Sequence, residues 1–424
     1  MKLTRRHFLG GIGLAGAASL AAMRPADHGA AHTAYFLQLQ TLLQHQRGGP
    51  PPLLLDLDLL DANIHALQQL LKPQAAYRLV VKSLSSAALI DYVLRKTGSQ
   101  RLMCFHLPFL QQCAAQFPQA DILLGKPLPI QAARQFVAHA PVGALPRVQW
   151  LVNNHDRLLQ YRQLAAQTGT PLRINIELDV GLHRGGVSDP HQLAAMLREI
   201  KAAPKLLSFS GFMGYDAHVG KIPGALQSAE QSYQQSQQRY SDAIALLRQQ
   251  APALLDQTPL TFNGAGSATL HWHRRQSVCN DLSAGSCLLK PGDFEVTGLE
   301  KFVPAAFIAA PVLKRLDGTR IPGIEHLAGP MACWDRNLQQ SWFIYGGKWL
   351  ARYVSPPGLQ DNALYGSSSN QSIVTGSKQI RLGVDDWVFL RPDQSEAVLL
   401  QFGDLLVHRS GQFVARWPVL QQSA

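Results

Sequence analysis

The chain has 424 residues, 46% of them hydrophobic, and 39 Lys and Arg against 28 Asp and Glu give a formal net charge of +11. That hydrophobic content excludes a disordered chain, and the absence of any basic run or aromatic-basic stripe argues against a nucleic-acid role. Five cysteines, Cys104, Cys113, Cys279, Cys287 and Cys333, form neither a CxxC nor a paired framework, so a disulfide scaffold is not expected.

Met1-Lys2-Leu3-Thr4-Arg5-Arg6-His7-Phe8-Leu9 is followed by a Gly-, Ala- and Leu-rich stretch to about Ala22. This reads as a twin-arginine signal peptide over 1–28, too short in its apolar part for the roughly twenty residues that span a bilayer. The expectation is a periplasmic protein exported by the twin-arginine translocase, with an uncleaved anchor as the alternative. That route carries folded proteins, often with cofactor loaded. Lys2, Arg5, Arg6 and Arg24 against Asp27 carry +3 of the charge, leaving +8 on the mature chain.

The remaining length exceeds what one core usually organises, so two domains are expected. Strand-like runs at 53–57, 78–82, 101–105, 121–124, 148–152, 173–179, 206–213, 259–263 and 283–289 alternate with amphipathic segments. The segment from Leu59 places Leu60, Ile64, Leu67 and Leu71 at helical spacing, and Ser228 to Leu247 reads as a long polar-faced helix. Alternating β and α without repeats predicts an α/β fold, a parallel (β/α)8 TIM-type barrel over 50–290. Nine runs compete for eight positions. After Pro291-Gly292-Asp293 short β-rich runs predominate, at Ala305–Leu313, Ser341–Tyr345, Trp387–Leu390, Ala397–Gln401 and Leu405–Val407. They predict a mostly antiparallel β domain over 291–424, with Ser355–Asn370 as a mobile Gly/Pro/Ser-rich loop.

Three polar sites follow apolar runs directly: Lys82, the segment Glu177–Val187, and the glycine turn Asn263-Gly264-Ala265-Gly266-Ser267. In such a barrel the active face lies at the carboxyl ends of the strands, and phosphate binds in the loops after the last two. Gly264 and Gly266 let backbone N–H groups approach an anion, and Ser267 adds a hydroxyl donor. A lysine and a phosphate cradle on one rim is what pyridoxal 5'-phosphate requires.

The chain resembles the fold-type III pyridoxal-phosphate enzymes, in the D-threonine aldolase and D-serine dehydratase-like branch related to alanine racemase. The resembling residues are Leu55-Asp56-Leu57-Asp58 with Asn63, Val81-Lys82, Asp179 to Gly186, Gly214-Tyr215-Asp216-Ala217-His218, Gly264-Ala265-Gly266-Ser267 and Lys290-Pro291-Gly292-Asp293-Phe294. The resemblance implies a barrel that begins with the Lys82 strand and Lys82 as the Schiff-base lysine and proton carrier at Cα. It implies Arg184 on the cofactor ring or the substrate carboxylate, Tyr215 lining the cofactor, and His218 as an acid or base near the ring oxygen. A homodimer and a D-amino acid substrate are also implied.

In that branch a His-x-Cys or His-x-Asp pair in the C-terminal domain holds a divalent metal, whereas Gln394 and Glu396 occupy those places here. Such oxygen ligands would suit Mg²⁺, Mn²⁺ or Ca²⁺ better than Zn²⁺. His271 and His273 flank Trp272 on what reads as an extended segment, where alternate residues point to opposite faces, which argues against a shared metal. The expected activity is a lyase on D-β-hydroxy amino acids, by retro-aldol cleavage or dehydration. An amino-acid racemase, a non-catalytic pyridoxal-phosphate carrier and a barrel hydrolase are the alternatives.

Overall fold

A computed structural model describes residues 24–46, 49–256, 259–362 and 364–423. The twin-arginine motif and its apolar stretch lie outside these residues. No described helix is long and apolar enough to cross a membrane. The chain divides into two compact units: one holds Leu55–Ala306, Asp393–Arg409 and the chain from Val414, the other the chain up to Leu54 with Phe307–Pro392 and Ser410–Phe413.

Strand β1, Leu53–Asp56, is followed by eight strands that close into a parallel barrel. These are β2 Ala76–Val80, β3 Arg101–Cys104, β4 Asp121–Leu124, β5 Val148–Val152, β6 Leu172–Leu178, β7 Leu207–Gly214, β8 Thr261–Gly264 and β9 Asp281–Ala284. Their short, apolar, β-branched and aromatic runs bury on both faces, as a strand does when helices cover its outside. The expected (β/α)8 barrel is therefore present and begins with the strand that leads to Lys82, which resolves the nine runs into eight.

Helices between the strands start and stop on local chemistry. Asn154 caps the helix His155–Thr168 by accepting from Arg157 N at 2.8 Å, and Ser228 with Gln231 forms a capping box for Ala229–Gln250. Gly98 and Gly169 end two helices in the left-handed conformation. The buried Asn63 amide donates to Leu288 O and Val303 O at 2.8 and 2.7 Å and accepts from Val303 N, so the helix Leu57–Leu70 holds the chain that leaves β9.

The barrel interior is polar toward the amino ends of its strands. Arg78, fully buried, donates to Asp281 Oδ1 and Asp121 Oδ1, both at 2.8 Å, and Asp121 also receives Arg173. Asn263 and Gln149 extend this layer through Asp281, Ser283, Asp121 and Thr261. Every charge there has an opposite partner, as a buried ion must.

In the other unit β10 Ala306–Asp317, β11 Gln340–Tyr345, β12 Ala351–Ser355, β13 Gln360–Asp361, β14 Gln371–Gly376 and β15 Trp387–Pro392 pair antiparallel in the order β13-β14-β11-β10-β15-β12. Phe36 packs on Phe389 and Phe307 at 4.9 and 5.2 Å between ring centroids. The expected loop 355–370 contains β13, bonded to β14. The run 397–401 is not a strand: Ser395–Val398 is helical and Leu399–Gln401 continues as a 3-10 turn, because a short apolar run serves a buried helix equally well.

Candidate active site

The carboxyl ends of the barrel strands surround a cavity with about 870 Å³ of empty space, its solvent mouth included. Lys82, Arg184, Tyr215, Gly266 and Ser267 all line it, with Phe105, Asn263, Lys221, Ser286 and Glu396. The sequence did not single out Phe105, Lys221 or Ser286. Each follows a strand end, a signal too general to select them.

Lys82 stands two residues past β2, on the 3-10 turn Val81–Leu84, whose Lys82 carbonyl accepts from Ser85 Oγ at 2.8 Å. Its ammonium lies 4.8 Å from the Phe105 ring centroid and forms no hydrogen bond or ion pair among the described residues. Across the cavity Arg184 stacks on Tyr215, guanidinium carbon to ring centroid 5.0 Å. Burial raises the Tyr215 phenol, with Arg184 opposing, so the phenol remains protonated at neutral pH. Behind Arg184, burial raises the Glu177 carboxyl against the pull of the guanidinium.

The turn after β8 carries Ala265 at φ 68°, a left-handed conformation that costs a non-glycine residue about 1–3 kcal/mol. Gly266 N donates to Thr269 Oγ1 at 3.0 Å, while the Ser267 and Ala268 N–H groups donate to nothing among the described residues, and both residues line the cavity. Ser267 Oγ accepts from Gly285 N and Cys287 N at 3.2 and 3.1 Å, which ties this turn to the one after β9. A Cβ at Gly266 would meet Tyr215 Cε2 at 2.7 Å. Gly264 does not line the cavity: its missing Cβ leaves room for Cys279 Sγ, 2.5 Å from where that atom would lie. The structure places this residue, expected at the phosphate, in close packing against Cys279 beneath the turn.

Glu396 enters the cavity from the helical turn Ser395–Val398. Its Oε1 accepts from Ser83 Oγ at 2.6 Å and Ser286 Oγ at 3.1 Å, and its Oε2 accepts from no described residue. Gln394 is exposed, lies off the cavity, and donates its amide to Asp293 Oδ2 at 2.9 Å. The two candidate metal ligands do not converge, and no group of three or more His, Cys, Asp or Glu suited to a metal occurs among the described residues. One carboxylate already holding two hydroxyls does not make a divalent-cation cage, so Gln394 and Glu396 do not fit that use.

His218 is placed elsewhere. It does not line the cavity; its ring packs at Gly181, whose Cβ would lie 2.8 Å from His218 Nε2 and 3.3 Å from Arg239 Nη1. Two tight turns, Val219 N to Asp216 O and Lys221 N to His218 O, point Ala217 and Lys221 inward and His218 away. The Leu270–His273 segment is helical rather than extended, and it buries His273 against Asp216.

The alanine racemase N-terminal domain profile matches residues 55–291. The chain belongs to that family. Membership supports pyridoxal 5'-phosphate as the cofactor, and the cavity fits it: its lining includes a lysine amine, two residues whose backbone N–H groups have no described partner, and the Phe105 and Tyr215 rings. Among curated relatives, D-threonine aldolase of Arthrobacter sp is 28% identical over 182 residues, 42% of this chain and 46% of that protein. The 3-hydroxy-D-aspartate aldolase of Paracoccus denitrificans is 23% identical over 247 residues, 58% of this chain and 61% of that protein. The chain thus spans about half the length of the curated relatives it matches. Solved structures of D-threonine aldolase from Filomicrobium marinum and D-threo-3-hydroxyaspartate dehydratase from Delftia sp. HT23 superpose with a TM-score of 0.68 at 17% identity. They cover 88% and 90% of this chain, and 95% and 100% of their own. At that identity they establish the fold.

Proposed function

We propose that the protein is a pyridoxal-phosphate-dependent lyase that breaks a bond at Cα or Cβ of D-β-hydroxy amino acids. The observation that carries this reading is one cavity holding the unpartnered Lys82 amine, the unbonded Ser267 and Ala268 N–H groups and the Glu396 carboxylate. The relatives' names supply the substrate class. When bound, the cofactor accepts the electron pair released from a bond at Cα.

The chain's own residues do the rest. Lys82 Nζ would hold the cofactor through its aldehyde carbon and would move the proton at Cα. Ser267 N and Ala268 N donate to the phosphate. Arg184, fixed on the Tyr215 face, presents its guanidinium to a carboxylate or to the cofactor ring, and Lys221 adds positive charge at the mouth. In retro-aldol cleavage Glu396 Oε2 would accept the proton of the substrate's β-hydroxyl, and in dehydration a protonated Glu396 would give a proton to the departing hydroxyl, while Ser83 and Ser286 hold the other oxygen in place.

The test is release of an aldehyde or a 2-oxo acid from D-threonine, D-serine and D-3-hydroxyaspartate by the cofactor-loaded protein. If all three are inert while cofactor is bound, the reading fails. Exchange of solvent deuterium into Cα with loss of optical activity and no fragmentation would instead identify a racemase.

Two further readings belong with this one. Arg5-Arg6 and the apolar stretch after them support export through the twin-arginine translocase to the periplasm. Retention in the cytoplasm of a variant carrying Arg5→Lys and Arg6→Lys, with secretion of the unmodified chain, checks it. Family membership supports a homodimer, which sedimentation of the purified protein measures directly.

A further inference from the structure

Beneath the glycine turn lies an ion pair whose task neither the cavity nor the proposed chemistry accounts for. Asp216, 1% exposed, directly follows Tyr215 in the chain. Its Oδ2 meets His273 Nε2 at 2.8 Å, and its Oδ1 accepts from Thr269 Oγ1 at 2.7 Å. The same Thr269 hydroxyl accepts from Gly266 N at 3.0 Å, and His273 Nδ1 reaches Ser277 Oγ at 2.8 Å. Burial works against charge on His273, but the Asp216 carboxylate outweighs it and holds the imidazole up at about 10. The pair is therefore ionised at neutral pH and carries no net charge.

Stability alone does not explain it. A buried ion pair recovers little more than its own desolvation cost, and apolar residues of the same volume do as well or better. Its geometry has a direction, however. One end is bonded in the chain to Tyr215, the wall on which Arg184 stacks. The same Asp216 end reaches, through the Thr269 hydroxyl, the backbone of the turn that holds Ser267 and Ala268, while the His273 end is fixed on Ser277 Oγ. A carboxylate this close to an anion cradle would repel the anion unless a cation neutralised it, and His273 is that cation.

We propose that Asp216, with Thr269 as its relay and His273 as its counterion, positions the turn so that the Ser267 and Ala268 N–H groups converge on the phosphate end of the cofactor. This inference rests on the cofactor reading above. Asp216, Thr269 and His273 act through the turn, so they are positioning residues.

The experiment measures binding of pyridoxal 5'-phosphate and of pyridoxal, which lacks the phosphate, to cofactor-stripped full-length protein. The unmodified chain is compared with Thr269→Val, Thr269→Ser and Asp216→Asn. Thr269→Val keeps the side-chain volume and leaves the Asp216–His273 pair in place. The expected result is about a tenfold loss for pyridoxal 5'-phosphate, the equivalent of about 1.4 kcal/mol. Affinity for pyridoxal stays unchanged, and Thr269→Ser restores the phosphate preference. Asp216→Asn, which can still accept from Thr269 but leaves His273 uncompensated, is expected to alter the same phosphate preference.

Thr269→Val binding pyridoxal 5'-phosphate within about twofold of the unmodified chain would overturn the inference, since a lost hydrogen bond should exceed that. So would an equal loss for both ligands, the mark of a general structural role. An unmodified protein with no preference for the phosphorylated ligand would overturn the cofactor reading itself, and the inference with it.

Discussion

Ser83 Oγ donates to Glu396 Oε1 at 2.6 Å, and Ser83 is the residue after Lys82. The amine that would hold the cofactor and the Glu396 carboxylate of the same cavity are therefore linked by one short turn. Glu396→Gln can still accept from Ser83 and Ser286, so it is expected to fold and bind cofactor. Turnover of a D-β-hydroxy amino acid should fall by about 10²-fold or more, the usual loss when a general base is removed. Steady-state assay with the cofactor spectrum as control measures both. Because Gln394 and Glu396 form no cation cage, chelator should leave the rate of the unmodified enzyme unchanged.

Arg78 is fully buried between Asp281 and Asp121. Arg78→Ala leaves both carboxylates facing the barrel interior and removes donors from Leu102 O and Asp121 O. The expected cost is about 3–5 kcal/mol, as for breaking a buried pair from one side. Denaturant unfolding of the barrel measures it, and a loss below about 1 kcal/mol would mean that water enters the barrel.

His273 has a folded-state pKa of about 10 against an ordinary 6.5, raised by Asp216 over the opposing effect of burial. A raised pKa stabilises the folded state fully below pH 6.5, and the contribution disappears as pH rises toward 10. Melting temperature should therefore decline across that window in the unmodified protein. His273→Gln, which cannot titrate, should show a flatter profile there.

Gly266→Ala places a Cβ 2.7 Å from Tyr215 Cε2. Either the ring or the turn must shift, at about 1–3 kcal/mol for overpacking. Cofactor dissociation, followed by dialysis and absorbance, should quicken accordingly.

Much of this fold was legible because barrel strands are short apolar runs separated by amphipathic helices: seven of the nine runs match barrel strands to within two residues at both ends, and an eighth, 283–289, overlaps β9 but runs five residues past it. Lys82, Gly266, Ser267 and the segment that holds Arg184 were legible as strand-end sites, Tyr215 and the role of Arg184 only through the family resemblance, and all five residues share the cavity. His218 was not, since the two turns that rotate it outward depend on backbone bonds that no local pattern signals. The Asp216 network was hidden by distance along the chain: its partners lie 53 and 57 residues away. Glu396 was visible only as a departure from a metal motif. Its hydroxyl partners come from two barrel strand ends, 313 and 110 residues upstream.

The central claim is that Lys82 holds the cofactor covalently. Borohydride reduction of the purified cofactor-loaded protein, followed by peptide mass spectrometry, tests it most directly. The account predicts a pyridoxyl-phosphate mass on the peptide carrying Lys82, together with loss of the visible absorbance band in Lys82→Ala. A label on another lysine, or a Lys82→Ala protein that keeps the band, would contradict it.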